Sequence, residues 1–168
     1  MKTVFKGDHL LVIERNHWQY VERIKGKGAV AVIAETDDGR VILTEQFRDP
    51  VNARVIDWPA GLVGDEDPSE SPADAAKKEL AEETGYECDS VELLAQGPTS
   101  PGITSETGAL YRAHGVRRKG KGGGVDNEDI TVHAIARNEL RSWLQTKRDE
   151  GVLVDLKVWG GLYFLNCK

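Results

Sequence analysis

Only two cysteines, Cys88 and Cys167, occur among 168 residues. That is too few for a disulfide framework, and no Cys-x-x-Cys spacing is present to take zinc. Free thiols in a reducing cytosol are the expectation. No apolar run approaches the roughly 18 residues that a membrane span needs. Met1-Lys2-Thr3-Val4-Phe5 opens without the apolar stretch and small-residue cleavage site of a secretory leader. A cytoplasmic protein with no membrane partner is therefore expected. Basic residues are in deficit, 22 Lys and Arg against 28 Asp and Glu for a net charge of −6, which argues against a nucleic-acid-coating protein. One stretch runs the other way, Arg117-Arg118-Lys119-Gly120-Lys121-Gly122-Gly123-Gly124. It lacks the Gly-Lys-Ser/Thr ending of a P-loop, and its glycines read as a mobile hairpin loop of flexible coil. His9, His17, His114 and His133 form no metal-ligand spacing.

What is present reads as one globular domain over residues 1–168, with 39% hydrophobic and 30% charged residues, no repeat and no linker. Val- and Ile-rich runs predict strands at Gly28 to Glu35 and Arg40 to Phe47, joined by the turn Asp37-Asp38-Gly39. Further strands are predicted at Val55 to Trp58, Val91 to Gln96, Ala109 to Val116 and Asp129 to Ala136. A helix follows Ser71, with Pro72 at its first position, Asp74 placed as in a capping box, and Gly85 as its stop. A second helix is expected over Asn138 to Glu150, capped by Asn138. Asp155 can cap a last one, against the weak helix propensity of Val158, Trp159, Gly160 and Gly161. Strands mixed with a few helices, without regular alternation, suggest an α+β or mixed α/β sandwich.

The first helix carries Lys77-Lys78-Glu79-Leu80-Ala81-Glu82-Glu83-Thr84-Gly85. Glu79, Glu82 and Glu83 stand at i, i+3 and i+4, so their carboxylates share one face. Ala73, Ala76 and Leu80 share a neighbouring face suited to the core. Like charges at this spacing weaken a helix by about 0.2–0.5 kcal/mol per pair. Lys78, four residues before Glu82, is one counter-charge against three. A divalent cation neutralises more, and clustered oxygen ligands suit Mg²⁺, which keeps several waters and is shared with phosphates. Spacing alone leaves open a solvated acidic face.

The wider segment narrows the choice. Gly64, five residues, Glu70, seven residues, then Lys78-Glu79-Leu80-Ala81-Glu82-Glu83-Thr84-Gly85-Tyr86 resembles the Nudix box, G-x5-E-x7-R-E-U-x-E-E-x-G-U. Every defined position matches except that Lys78 stands where the family has Arg. The resemblance implies the Nudix fold, an α/β/α sandwich with a mixed sheet. It also implies hydrolysis of a nucleoside diphosphate linked to another group. Gln46-Phe47-Arg48-Asp49-Pro50, Trp58-Pro59-Ala60-Gly61-Leu62, Ser100-Pro101-Gly102 and Ser105-Glu106 look like the ADP-ribose pyrophosphatase branch. Gly122 to Ile130 resembles the acidic loop of that branch and of its GDP-mannose hydrolase relatives, and Asp155-Leu156-Lys157 the start of their last helix.

Carried over residue by residue, the resemblance implies Glu79 and Glu83 as principal metal ligands with Glu82 alongside, and the Ala60 carbonyl as another. Glu128 matches a loop carboxylate that serves as base or additional ligand, with Asp126 and Asp129 in reserve. Glu70 reads as structural. Mg²⁺, with Mn²⁺ as a substitute, is the implied cofactor. Arg48 matches a phosphate contact, Trp18 and Arg23 match nucleobase contacts, and Glu106 and Lys157 match further substrate contacts. A core role for Trp18 and surface ion pairs for Glu106 and Lys157 stand beside those readings, and Trp58 is expected in the core. Lys at position 78 keeps the charge of the family Arg without its bidentate fork. Residues 1–20 match a segment that builds a homodimer in this branch. The expected substrate is ADP-ribose or another nucleoside diphosphate sugar such as GDP-mannose. A dinucleoside polyphosphate, NADH, a capped RNA 5′ end, or an inert nucleotide-sugar-binding module are the alternatives.

Overall fold

A computed structural model describes residues 1–124 and 129–166. It opens with an antiparallel meander for which the sequence patterning predicts no strands: β1 (Lys2–Lys6), β2 (Leu10–Arg15) and β3 (Trp18–Arg23). The hydrophobic signal there is faint because Ile13 alone in these strands is fully buried. The legible cue is the turn. Asn16 and His17 both take positive φ, 52° and 65°, as a two-residue hairpin requires.

The main sheet begins with β4 (Ala29–Glu35) and β5 (Arg40–Arg48). A short 3₁₀ turn then leads to β6 (Ala53–Asp57) and β7 (Ala60–Leu62). After α1 (Pro72–Thr84) come β8 (Tyr86–Glu87), β9 (Ser90–Pro98), β10 (Thr107–His114) and β11 (Arg117–Arg118). The chain ends with β12 (Ile130–Ala136), α2 (Leu140–Asp149), β13 (Leu153–Val154) and α3 (Leu156–Asn166). Eight strands form one sheet in the order β13-β6-β5-β4-β10-β9, with β12 on β5 and β7 on β4. β10 runs parallel to β4 and β13 to β6, so the sheet is mixed.

Alternation along β4 divides the core. Val30, Val32 and Ala34 pack with Ala75, Ala76 and Leu80 of α1. Ala31 and Ile33 pack on the other face with Leu140, Leu144, Val158, Leu162 and Leu165 of α2 and α3. A strand buried on both faces reads as a continuous apolar run. The expected α/β/α sandwich is what forms.

α1 matches its sequence signals. The Ser71 hydroxyl accepts from Asp74 N, and Gly85, at φ 73°, closes the helix by donating to Ala81 O. α2 departs from them: its cap is Glu139 rather than Asn138, with no side-chain cap bond. α3 forms despite its two glycines because Val158, Leu162 and Leu165 are buried. A Cβ at Gly161 would stand 2.6 Å from the Trp58 ring, so here glycine serves packing, and tertiary contacts override propensity.

The basic Gly-rich stretch is the main correction, since it is not free coil. β11 pairs with β8, and Lys119 N and Gly120 N both donate to Gly85 O. Gly123 N donates to Glu83 O at 2.8 Å and Gly124 N to Glu82 O at 3.1 Å. These are terminal carbonyls of α1, which lack partners inside the helix. Any Cβ at Gly122 would overlap the backbone of Thr84. Two of its four cations are ion-paired, Arg117 to Asp89 and Lys119 to Glu87.

One polar group lies within the α2 side of the sheet. Glu45, 6% exposed, accepts from Arg54 at 2.7 Å, meets His133 at 2.9 Å and faces Lys147 at 3.4 Å. Burial opposes its charge, but Arg54 and His133 outweigh it and hold the carboxyl below its usual range. Burial also pushes His133 below 6.5, against the pull of Glu45. Below that pH the unfolded chain gains a proton that the folded imidazole refuses, so stability falls as pH drops. Glu45 adds a second loss as pH falls through its depressed folded value. Asp57, pushed up to about 6 by burial, acts in the opposite sense. Urea unfolding of His133→Gln beside wild type is expected to remove the decline that starts below 6.5 and to keep the more acidic one. Parallel curves across that range would assign the decline elsewhere.

Candidate active site

Three residues of α1 and two of β7 make the site. Glu83 is 7% exposed, and its Oε2 accepts from Ala60 N at 2.9 Å. Glu79 turns its carboxyl onto Gly61, so closely that a Cβ there would overlap it. Glu82 lies alongside, partly exposed, its carbonyl held by Gly124 N. The strand itself is fixed from behind, since Pro59 O accepts from Val32 N and Ala60 pairs with Ala31 of β4. Expected ligands Glu79, Glu83 and the Ala60 backbone are thus brought together.

The donor set fits a hard cation, being carboxylate and carbonyl oxygen alone. Among the described residues no group of three His, Cys, Asp or Glu side chains closes into a cage. The expected Glu128 and its reserve Asp126 lie outside the described residues. Asp129 is described, and it meets Arg54 at 3.1 Å.

Glu70 holds the box loop, its Oε2 accepting from Gly64 N at 3.1 Å, the structural role expected. Lys78 does not chiefly offset Glu82. It bonds to Glu66 at 2.5 Å, and that bond, with the charges of Glu82 and Glu70, raises its pKa although burial opposes. Lys78 therefore ties the loop to α1. Lys78→Ala is expected to lower kcat about tenfold, the low end for groups that support a metal site, with thermal unfolding little changed. Activity equal to wild type would reduce Lys78 to a surface charge.

The expected substrate contacts divide. Trp18 is 59% exposed and its indole donates to Gly102 O at 3.3 Å, so it is not a core residue. Arg23 and Glu106 pair with one another. They line a cavity of about 220 Å³ with Glu22, Lys27, Gly28 and Thr107. Gly28 O receives Val63 N, so this cavity borders the segment that continues β7. Arg48 is exposed at the end of β5, opposite Ala53. Lys157 is committed to Asp57 at 2.9 Å and Asp155 at 2.8 Å, the ion-pair alternative. Trp58 is fully buried, as expected. The patterning does not single out Gly61, Asp57 or Glu66. The cue for Gly61 is the Pro59-Ala60-Gly61 run, where a rigid residue precedes two that leave space.

Comparison with known proteins gives the family and the fold. A family model described as NUDIX domain matches residues 25–152. A methanol dehydrogenase activator from Bacillus methanolicus is 35% identical over 128 residues, covering 76% of this chain and 68% of that protein. An ADP-ribose pyrophosphatase from Bacillus subtilis is 40% identical over 92 residues, 55% of this chain and 48% of that one. A GDP-mannose pyrophosphatase from Pectobacterium atrosepticum is 35% identical over 132 residues, 74% and 66% respectively. The chain thus spans about half the length of the B. subtilis protein. A crystal structure of an ADP compounds hydrolase superposes with a TM-score of 0.67 at 20% identity, over 86% of this chain and 80% of that one, a likeness of fold.

Proposed function

This chain belongs to the Nudix family, and we propose that it cleaves the pyrophosphate bond of a nucleoside diphosphate sugar, ADP-ribose or GDP-mannose among them. The observation that carries this is the pair Glu79 and Glu83, both turned onto Ala60 and Gly61 of β7. Two carboxylates against one backbone strand repel one another, and an anionic diphosphate cannot approach them without a counter-charge. Bound Mg²⁺ would supply that charge, polarise a phosphate oxygen and lower the pKa of water. Glu79, Glu83 and the Ala60 carbonyl would hold it, with Glu82 beside them and Glu128 as base or further ligand.

The chain's own residues do the rest. Buried Glu83 is positioned by a backbone N–H, so its geometry is set before substrate arrives. Arg48 offers a guanidinium fork to phosphate. Trp18 and Arg23, with Glu106, receive the base beside the cavity described above. ADP-ribose would yield AMP and ribose 5-phosphate, and GDP-mannose would yield GMP and mannose 1-phosphate. We further propose a cytoplasmic homodimer assembled through residues 1–20. Their sheet leaves Val4, Phe5, Leu10 and Trp18 exposed, as a surface awaiting a second copy would.

The test is a panel of ADP-ribose, GDP-mannose, a dinucleoside tetraphosphate, NADH and capped RNA, each with Mg²⁺, Mn²⁺ or chelator. Turnover of a diphosphosugar that chelator abolishes is expected, and none of any diphosphosugar would overturn the reading. Oxygen-18 water assigns the attacked phosphorus. Light scattering that returns a monomer, active at nanomolar concentration, would overturn the dimer.

A further inference from the structure

We propose that Asp57 and Lys157 are a positioning pair that aims the Trp58–Gly61 backbone at the Glu79 and Glu83 carboxylates, so that Lys157 acts through Asp57 rather than on substrate. This rests on the metal-site reading above.

Asp57 ends β6, three residues before Ala60, and its side chain is only 14% exposed. One carboxylate oxygen accepts from Trp58 N at 2.8 Å and the other from Lys157 Nζ at 2.9 Å. Lys157 Nζ also meets Asp155, whose second oxygen accepts from Lys157 N at 2.8 Å and so starts α3. Asp155 N donates to Ile56 O, and the Trp58 indole N–H donates to Lys157 O at 2.9 Å. Both N–H groups of Trp58 are therefore held, one by Asp57 and one by the backbone of Lys157. The ring lies against Gly161, where a side chain would not fit. Pro59 follows with a fixed φ, so the orientation of Trp58 reaches Ala60 through a stiff link. Ala60 N then meets Glu83, and Gly61 meets Glu79.

The chemistry explains why ions stand here. A buried carboxylate is costly unless paired and hydrogen-bonded. Burial pushes Asp57 up to about 6, while Lys157 pulls it back and Asp155 adds to the rise. Burial works against the Lys157 charge, but Asp57 and Asp155 outweigh it and its pKa rises. An apolar pair of the same size could fill this space. It would supply no acceptor for Trp58 N, and the direction of that bond sets the corner. With two carboxylates already on its ammonium, Lys157 is a poor candidate for a third, phosphate, partner.

The test uses Lys157→Met, Asp57→Asn, their double variant and Lys157→Arg in the full chain. Three readouts are compared: Mn²⁺ affinity by electron paramagnetic resonance without substrate, hydrogen exchange of residues 58–61 in metal-free protein, and kcat against KM. Both single variants are expected to weaken Mn²⁺ about 10- to 100-fold, the range for groups that orient metal ligands. They should speed exchange at Ala60 and lower kcat with KM within about twofold. The double variant should be no worse than the poorer single, and Lys157→Arg should restore most of the loss. Lys157 is 43% exposed, so Lys157→Met tests the idea even if Asp57→Asn does not fold. A tenfold rise in KM with unchanged Mn²⁺ affinity and exchange would make Lys157 a substrate contact and overturn the inference. Wild-type protein that binds no Mn²⁺ would instead overturn the metal reading on which it rests.

Discussion

Glu83→Gln is expected to lower kcat by about a hundred- to a thousand-fold, since on the proposed metal-site reading losing one ligand charge removes several kcal/mol of transition-state stabilisation. Gln keeps the size of Glu and an oxygen able to accept from Ala60 N at 2.9 Å. The substitution therefore separates charge from packing. The variant should fold, because the amide keeps both the volume and the backbone acceptor of the side chain it replaces. Glu70→Gln is the control. It also accepts a backbone N–H, from Gly64, but on the loop rather than on β7, and it should retain most activity. Steady-state kinetics with Mg²⁺ titration and circular dichroism distinguish the outcomes. Activity of Glu83→Gln within threefold of wild type would show that the charge at this position is not used.

Gly61→Ala should lower kcat about a hundredfold, the scale of a misplacement near 1 Å in a catalytic constellation, while leaving the fold intact. The added Cβ would overlap the Glu79 carboxyl group. That carboxyl is the far end of a flexible side chain, so it should move in preference to the strand backbone. Gly61 is absent from the positive-φ residues, so alanine adds no backbone strain. A double-mutant cycle isolates the effect. If Gly61→Ala acts only by moving Glu79, the pair Gly61→Ala with Glu79→Ala should be no slower than Glu79→Ala alone. An additive loss would mean that Gly61 acts by another route.

Two failures of patterning have one physical cause. The Gly-rich stretch 117–124 reads as coil because composition records the freedom of glycine and not what approaches it. In the fold, that freedom is spent on bringing N–H groups against the last carbonyls of α1. In the same way α3 scores poorly by propensity because Gly161 looks like a breaker, whereas it is the space into which Trp58 fits. The missed β1–β3 sheet is a failure of another kind. With Ile13 its single fully buried residue, little apolar periodicity exists to be read.

The sequence by itself determined α1 and its limits, since a serine cap, a proline at the first turn and a terminal glycine act locally. It also determined that Glu79, Glu82 and Glu83 share a face, because helical spacing alone sets that, and that the Val- and Ile-rich run from Gly28 to Glu35 is a strand. Only the tertiary structure decided what those carboxylates meet. Ala60 and Gly61 lie some twenty residues away along the chain, on a strand whose position is set by pairing with β4 and, through Trp58, by α3. It likewise decided that Lys157 answers Asp57, across a hundred residues. Local interactions choose an element from its own neighbours in sequence, but a partner that distant is selected only when the sheet closes and burial makes an unpaired charge costly.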